Sequence, residues 1–456
     1  MRQEDQFISI LSSHRELSFI EDFLSAHLTA GLYLVGGAVR DALLNRRFHE
    51  VDFDFVVTGL PAPELEAWFR TRGEINLVGQ HFGVYKFMPT GFSAENIEFI
   101  DIAIPRTETV SQGSLGGYKD FDVQSDSHLP IEGDLARRDF TINAMAFDVR
   151  ERKLIDPFDG QVDLARKILR AVGNPTERFT EDLSRILRGV RFATELGFSI
   201  DEATSRAIKE LLPNVHRQTQ TDGTLGYVVP RETVGSEFAK ALSRHPARAV
   251  EIFSSHNVWR ECFPHVHEQL VKDSTYLVPL SHTAPGELTV VVTLLLRGLS
   301  LEDARETLSF TGLDTLERGS SSRIEVPLVT TLIRLLQEGL HPRDIEEMRA
   351  STFEKHFLNG KGLMFLRCLE LTQQSDLRRA IHTRRTQIED RWLVDHDDSI
   401  APLLSGQDVL AHGIAAGPEV RVWLDRVRDL QLDGNLMRRE DALDWLEQQL
   451  KQKSSS

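Results

Sequence analysis

The run from Leu32 to Asp54 restricts the possible folds more than any other part of the chain. Leu32-Tyr33-Leu34-Val35 is a short apolar segment of strand character. Gly36-Gly37 closes it, and Ala38-Val39-Arg40-Asp41-Ala42-Leu43-Leu44 resumes at helical spacing. Asp52-Phe53-Asp54 then falls in a second strand, predicted over Val51–Val57, where acids alternate with apolar residues. A glycine pair between strand and helix lets backbone N–H groups approach an anion without a Cβ in the way. The helix N-terminus adds a favourable dipole. Taken alone, Gly36-Gly37 is an ordinary tight turn; Arg40, one turn into the helix, brings a cation within reach of a phosphate oxygen. Asp52 and Asp54, at i and i+2 on a strand, project from one face. Such hard oxygen donors suit Mg²⁺, and two ions about 3.5–4 Å apart clamp the entering and leaving oxygens of a phosphoryl displacement. Among Phe53, Phe55, Val56 and Val57, two carboxylates without a cation would be costly.

Two further clusters carry phosphate and base chemistry. Arg137-Arg138-Asp139-Phe140-Thr141-Ile142-Asn143-Ala144 sets two guanidinium forks beside a carboxylate. Arg binds phosphate bidentately, and Asp accepts from a ribose hydroxyl. Glu181-Asp182-Leu183-Ser184-Arg185-Ile186-Leu187-Arg188-Gly189-Val190-Arg191-Phe192 is predicted to be helical over Glu181–Leu196. On such a helix Asp182, Arg185 and Arg188 share one side and Arg191 drifts further round. An Asp beside an Arg can meet the Watson–Crick edge of a base. Arg166 to Arg191 holds seven basic and three acidic residues, in a chain whose net charge is −16. That local inversion marks an anion-binding face, although the whole chain is too acidic to coat nucleic acid by bulk charge.

The 456 residues predict two to four domains. Phe7, Leu11, Phe19, Phe23 and Leu24 predict a leading helix over 1–30, and further strands are predicted at Ile75–Val78, Val84–Met88 and Ile97–Ile104. Glu108–Asp134 is polar, without sustained period, and reads as a long loop. From about 161 the pattern turns helical and stays so, including Glu202–Leu212 and Glu232–Leu242; Gly319-Ser320-Ser321-Ser322 reads as a loop. Two cysteines, Cys262 and Cys368, cannot build a disulfide framework. The longest apolar run, Leu288–Leu296, falls far short of the roughly 20 residues a bilayer span needs. The opening Met1-Arg2-Gln3-Glu4-Asp5 has no apolar signal core. A cytoplasmic protein with no membrane contact is expected.

The three clusters, in this order and spacing, resemble the class II tRNA nucleotidyltransferase and bacterial poly(A) polymerase family of the polymerase-beta superfamily. The similarity is strong from about 31 to 200 and looser over Arg231-Glu232 through Phe238. It returns over 402–446, at Pro402-Leu403-Leu404-Ser405-Gly406 and Gly417-Pro418-Glu419-Val420. The resemblance implies an α/β nucleotidyltransferase head with a polymerase-beta-like mixed sheet (31–160), then an all-α neck (161–245), body (246–388) and tail (389–456). It implies that Asp52 and Asp54 are catalytic and hold Mg²⁺. Gly36, Gly37 and Arg40 would meet the incoming triphosphate, and Arg138 and Asp139 its phosphate and ribose. Asp182 and Arg185 would pair with the cytosine or adenine edge, with Arg188 and Arg191 on phosphates. The implied reaction is untemplated addition of CCA, from CTP, CTP and ATP, to the 3′ end of tRNA, with no obligate protein partner to be inferred.

Within the family, Leu77-Val78-Gly79-Gln80-His81-Phe82 lacks the basic pair that marks poly(A) polymerases, and the long 108–134 segment argues against a CC-only enzyme. An A-adding enzyme stays open as the alternative, followed by a poly(A) polymerase. His396-Asp397 lacks the upstream histidines of a phosphohydrolase domain. A glycosyltransferase would explain Asp-x-Asp but neither of the other clusters, and an idle RNA-binding relative should have lost one aspartate. From Glu389 onward the chain carries 14 acidic and 8 basic residues, which argues against phosphate binding by the C-terminal segment.

Overall fold

Two helices, and not the single one expected over 1–30, open the chain: α1 (Gln3–Ser13) and α2 (Phe19–Ala26), parted by a 3₁₀ turn at Arg15–Leu17. Ser12, Ser13 and His14 bond back to the carbonyls of Ile8 and Ile10 and end the first helix. The two helices also serve different partners: Phe7 stacks on Phe147 at 4.5 Å, whereas Phe19 and Phe23 pack on Phe69. This computed structural model describes residues 3–46, 53–78, 83–93, 99–110, 121–221, 224–316, 324–357, 360–372, 375–393 and 401–454. Asp52, Gly79–Phe82, Gly319–Ser322 and His396-Asp397 lie outside the described residues.

The expected α/β head is built from β1 (Gly31–Val35), α3 (Gly37–Leu43), β2 (Asp54–Thr58), α4 (Ala62–Arg70), β3 (Gly73–Val78), β4 (Val84–Pro89) and β5 (Ile100–Ala103). A hairpin, β6 (Arg106–Val110) and β7 (Phe121–Ser125), precedes α5 (Ile131–Ala136), β8 (Ala146–Asp148) and β9 (Lys153–Ile155). Seven strands form one mixed sheet, β3-β4-β5-β2-β1-β8-β9, parallel between β2 and β5 and antiparallel elsewhere. Alternation along the strands sorts the two faces. Phe55, Phe87 and Phe147 point to the helices α1, α2 and α4. Val35, Val56 and Ala146 point the other way, into a core with Ile131, Leu135, Ala144 and Val172. Asp54, two residues from Val56, belongs to this second face.

The long loop expected over 108–134 is a correction. Arg106–Val110 pairs antiparallel with Phe121–Ser125, and Ile131–Ala136 is helical; residues 111–120 lie outside the described residues. The ladder rests on backbone pairing, and the polar composition of both stretches hid it from a search for apolar runs.

The following segment is helical with two exceptions. Helices α6 (Gly160–Arg166), α7 (Pro175–Glu181), α8 (Ser184–Leu196), α9 (Glu202–Leu211), α10 (Arg231–Arg244), α11 (Pro246–Ser255) and α12 (Val258–Cys262) are interrupted by a short parallel pair, β10 (Ile168–Leu169) with β11 (Ser199–Ile200). A hairpin also intervenes, β12 (Gln218–Thr221) with β13 (Thr224–Tyr227). Asp222-Gly223 flanked by Thr221 and Thr224 is a hairpin signal that a helical reading passes over.

The chain divides into two compact units, Met1–Pro264 with Phe310–Glu317, and His265–Ser309 with Arg318–Ser456. The second opens with α13 (Pro264–Lys272), α14 (Leu288–Leu296) and α15 (Leu301–Phe310) and continues as helices to Ser454. Two apolar cores hold it, one around Leu332, Phe353, Phe365 and Ile381, the other around Val409, Trp423, Val427 and Leu446. The apolar run Leu288–Leu296 is α14 and lies almost wholly inside. Among the described residues no helix is long and apolar enough to cross a membrane.

Candidate functional site

The chemistry-bearing residues meet at one end of the mixed sheet. Strand β1 runs into Gly36, whose φ of +69° L side chains rarely adopt. A Cβ there would stand 3.2 Å from Arg138 Nη1 and 3.3 Å from Asp54 Oδ2. Gly36 therefore leaves room where the cation of the second cluster and the carboxylate of the first come together. Asp54 opens β2, which is antiparallel to β1, so its carboxylate emerges at the same end. Asp101 on β5 is in register with Asp54, and Lys86 on β4 pairs with it at 2.7 Å. Asp101 escaped the sequence reading. Its signal was a lone acid between two buried isoleucines, Ile100 and Ile102.

Replacing Gly36 by Ala is expected to cost about 1–2 kcal/mol of stability from backbone strain alone. It should also raise the nucleotide KM, because the new methyl presses on Arg138. Gly37→Ala, with its Cβ at an ordinary 3.5 Å from Arg40 Nη2, should change both little. Thermal melts and nucleotide titrations of the two variants check this contrast.

Arg40 is nearly buried and already engaged. Nε and Nη2 donate to Asp41, and Nη1 donates to Asn143 Oδ1 at 2.8 Å. It thus ties the glycine-turn helix to the Arg137–Ala144 segment, leaving two of its five N–H donors for a ligand. Asn143 also donates to Asp139 Oδ1 and so links Arg40 to the next group.

Asp134 organises the double arginine and went unnoticed in the sequence because it fell in the segment expected to be a loop. It is fully buried and accepts from Arg137 Nε and Nη2 and from Arg138 Nη2. Burial alone would raise its pKa, but the guanidinium groups of Arg138 and Arg137 hold it below the usual carboxylate range. Arg138 also donates to the Asn143 carbonyl, and its Nε is buried with no hydrogen-bond partner among the described residues. It is Nη1 that faces the glycine turn, 3.2 Å from where a Cβ on Gly36 would stand, and a guanidinium there suits an anionic oxygen.

Asp139 is buried, with all its acceptor capacity in use. Oδ1 accepts from the Phe140 N–H and Asn143 Nδ2, and Oδ2 accepts from Arg188 Nε and lies 2.7 Å from Arg188 Nη2. Burial would raise its pKa; Arg188 and the hydrogen bonds to it bring it down to about 2, and push the Arg188 pKa up. Arg188 keeps a partly exposed side chain, and the Arg40, Arg188 and Arg191 guanidinium groups all lie 4.1–5.3 Å from the ring of Phe192.

The uninterrupted helix expected over Glu181–Leu196 is a second correction. Helix α7 ends at Glu181, and Asp182 is extended, with φ −142° and ψ 105°. Its Oδ1 accepts from the Ser184 N–H at 2.8 Å, an Asx turn that opens α8. A local side-chain bond of this kind outcompetes helix continuation, so Asp182 does not share a helical side with Arg185 and Arg188. It stays beside Arg185, with Oδ2 4.0 Å from Nε, while Arg185 Nη1 donates to Glu181 and to the Arg178 carbonyl. Burial raises the Asp182 pKa, against the Ser184 bonds and Arg185.

Arg191 is turned elsewhere: it pairs with Glu237 on α10 and with Glu195, which also faces Arg244. The structure thus gathers Gly36, Arg40, Asp54, Arg138, Asp139 and Arg188 through Asn143, sets Asp182 and Arg185 at the start of α8, and gives Arg191 to the α8–α10 contact.

With these groups converging on a glycine turn and a strand carboxylate, the comparison with known proteins is direct. Residues 32–170 match the poly A polymerase head domain. The match takes in the mixed sheet and the Asp134–Asn143 network, and bears out the resemblance read from the motifs. The chain is 37% identical over 198 residues to the CCA-adding enzyme of Enterococcus faecalis, covering 43% of this chain and 44% of that protein. The alignment thus spans less than half of that relative's length. The CCA-adding enzyme of Lactobacillus helveticus is 27% identical over 418 residues, covering 90% of this chain and 91% of its own. Among solved structures, the Bacillus stearothermophilus CCA-adding enzyme in complex with CTP superposes with a TM-score of 0.61 at 21% identity, over 100% of this chain and 99% of that one. The poly A polymerase head followed by a helical remainder is thus a shared fold.

Proposed function

We propose that this chain is a tRNA nucleotidyltransferase that adds CCA to the tRNA 3′ end from CTP and ATP. The observation that carries the proposal is the close approach of both Arg138 Nη1 and Asp54 Oδ2 to Gly36. A triphosphate entering over that glycine would meet both a guanidinium and a metal-binding carboxylate. The relatives named CCA-adding enzyme, one of them solved with CTP, support the same reading.

Asp52 and Asp54 would hold Mg²⁺, and the donor chemistry at Asp54 fits: a hard oxygen at a strand end, with Asp101 in register on β5 and already balanced by Lys86. The bound ions would supply charge stabilisation of the entering and leaving oxygens. The Gly36–Gly37 backbone and Arg138 orient the triphosphate, and Arg40 stiffens the turn through Asn143. Asp139 meets a ribose hydroxyl only by releasing a hydrogen bond, so its first role is to aim Arg188. Asp182 and Arg185 present an acceptor and donors to the base edge. Arg191, paired within the neck, acts on that helix and not on phosphate. Two free, buried cysteines, Cys262 and Cys368, suit a reducing, cytoplasmic setting.

Incorporation of labelled CTP or ATP with Mg²⁺ into tRNA transcripts ending before CCA, after C and after CC tests the proposal. Addition that completes CCA and then stops is the expected result. Addition of A alone to the CC-ending transcript would make this an A-adding enzyme, and long A tails on any RNA would make it a poly(A) polymerase.

A further inference from the structure

The second unit carries a side-chain cluster that the reaction does not use. His265, the second residue of α13, faces Asp303 and Glu306, one turn apart on α15, and one ligand atom from each lies within 4.8 Å of the others. We propose that these three side chains bind a divalent cation of the zinc or cobalt type and clasp α13 to α15.

Three observations support this. The donors are one imidazole nitrogen and two carboxylate oxygens, a set that favours imidazole-binding transition metals over Mg²⁺. His265 Nε2 and Glu306 Oε2 stand 3.4 Å apart. This is long for a hydrogen bond, but about the separation of two donors on a tetrahedral ion with bonds of about 2.1 Å. Finally, among the described residues no Lys or Arg pairs with Asp303 or Glu306. His265 and Asp303 are half-buried and Glu306 is exposed, so an ion would have three protein donors and an open side for water. The Asp303 N–H donates to Ser300 Oγ at the start of α15, which fixes the backbone that carries this carboxylate.

The test is calorimetric titration of Zn²⁺ into the full-length, chelator-treated chain with Mg²⁺ in excess, and visible absorption with Co²⁺ as a second readout. Wild type and Asp54→Asn should both take up one Zn²⁺ equivalent and develop a Co²⁺ band. In His265→Ala the equivalent and the band should vanish, and Glu306→Gln should bind at least about tenfold more weakly. Glu306 is exposed, so that variant keeps its fold, and the Asp54→Asn protein separates this site from the head. Zn²⁺ uptake lost in Asp54→Asn, or unchanged in both His265→Ala and Glu306→Gln, would overturn the proposal; so would the absence of any uptake by wild type.

Discussion

Asp54→Asn is expected to lower nucleotide transfer at least ~1,000-fold, which corresponds to ~4 kcal/mol of transition-state stabilisation. tRNA affinity and melting temperature should change little. The substitution keeps the shape and one acceptor but removes the charge that a divalent ion needs. Asp54 stands at the first residue of β2, at the end of the sheet and outside the apolar centre, so the strand has no reason to unfold. Single-turnover rates with saturating CTP, beside a tRNA binding curve and a thermal melt, check the expectation. Comparable loss of binding would mean that Asp54 supports structure, and a rate within tenfold of wild type would remove it from the chemistry.

The second large effect is expected at Asp139. Asp139→Ala takes away the partner of Arg188 and the acceptor of the Phe140 N–H and Asn143. Breaking a buried pair leaves an uncompensated charge; the Arg188 side chain can reach solvent, which softens the loss to about 2–3 kcal/mol. The nucleotide KM should rise as Arg188 loses its aim.

The pH dependence has a definite sign. The folded pKa of about 2 lies below the ordinary carboxylate value. The contribution of Asp139 is therefore fully present above about pH 4 and is lost as pH falls through about 2. Wild type should lose its margin over Asp139→Ala within that window. Urea midpoints of both proteins from pH 2 to 7 measure it, and parallel curves would refute the pairing.

Much of the head was legible because its signals are local. A glycine pair after an apolar strand, acids at alternate positions in the next strand and a double arginine before apolar residues each identify themselves within a few residues. The long-loop reading failed for a physical reason: the β6–β7 ladder rests on backbone pairing between two polar stretches, which leave no apolar run. The continuous helix through Asp182 failed because a single side-chain bond to the Ser184 N–H breaks a pattern that apolar periodicity alone would carry through.

The sequence by itself determined which residue types could bind phosphate and metal, and that a mixed α/β head precedes a helical remainder, since periodicity and glycine placement are properties of neighbouring residues. The tertiary structure alone decided the partners. Asp101 comes level with Asp54 only because β2 and β5 run parallel in register, and Arg40 meets Asn143, 103 residues further along, only because the fold sets the glycine turn beside that segment. Arg191 leaves the site for Glu237, which lies 46 residues further along the chain. Charge pairing over such separations depends on which surfaces the core brings together, and no local pattern encodes that choice.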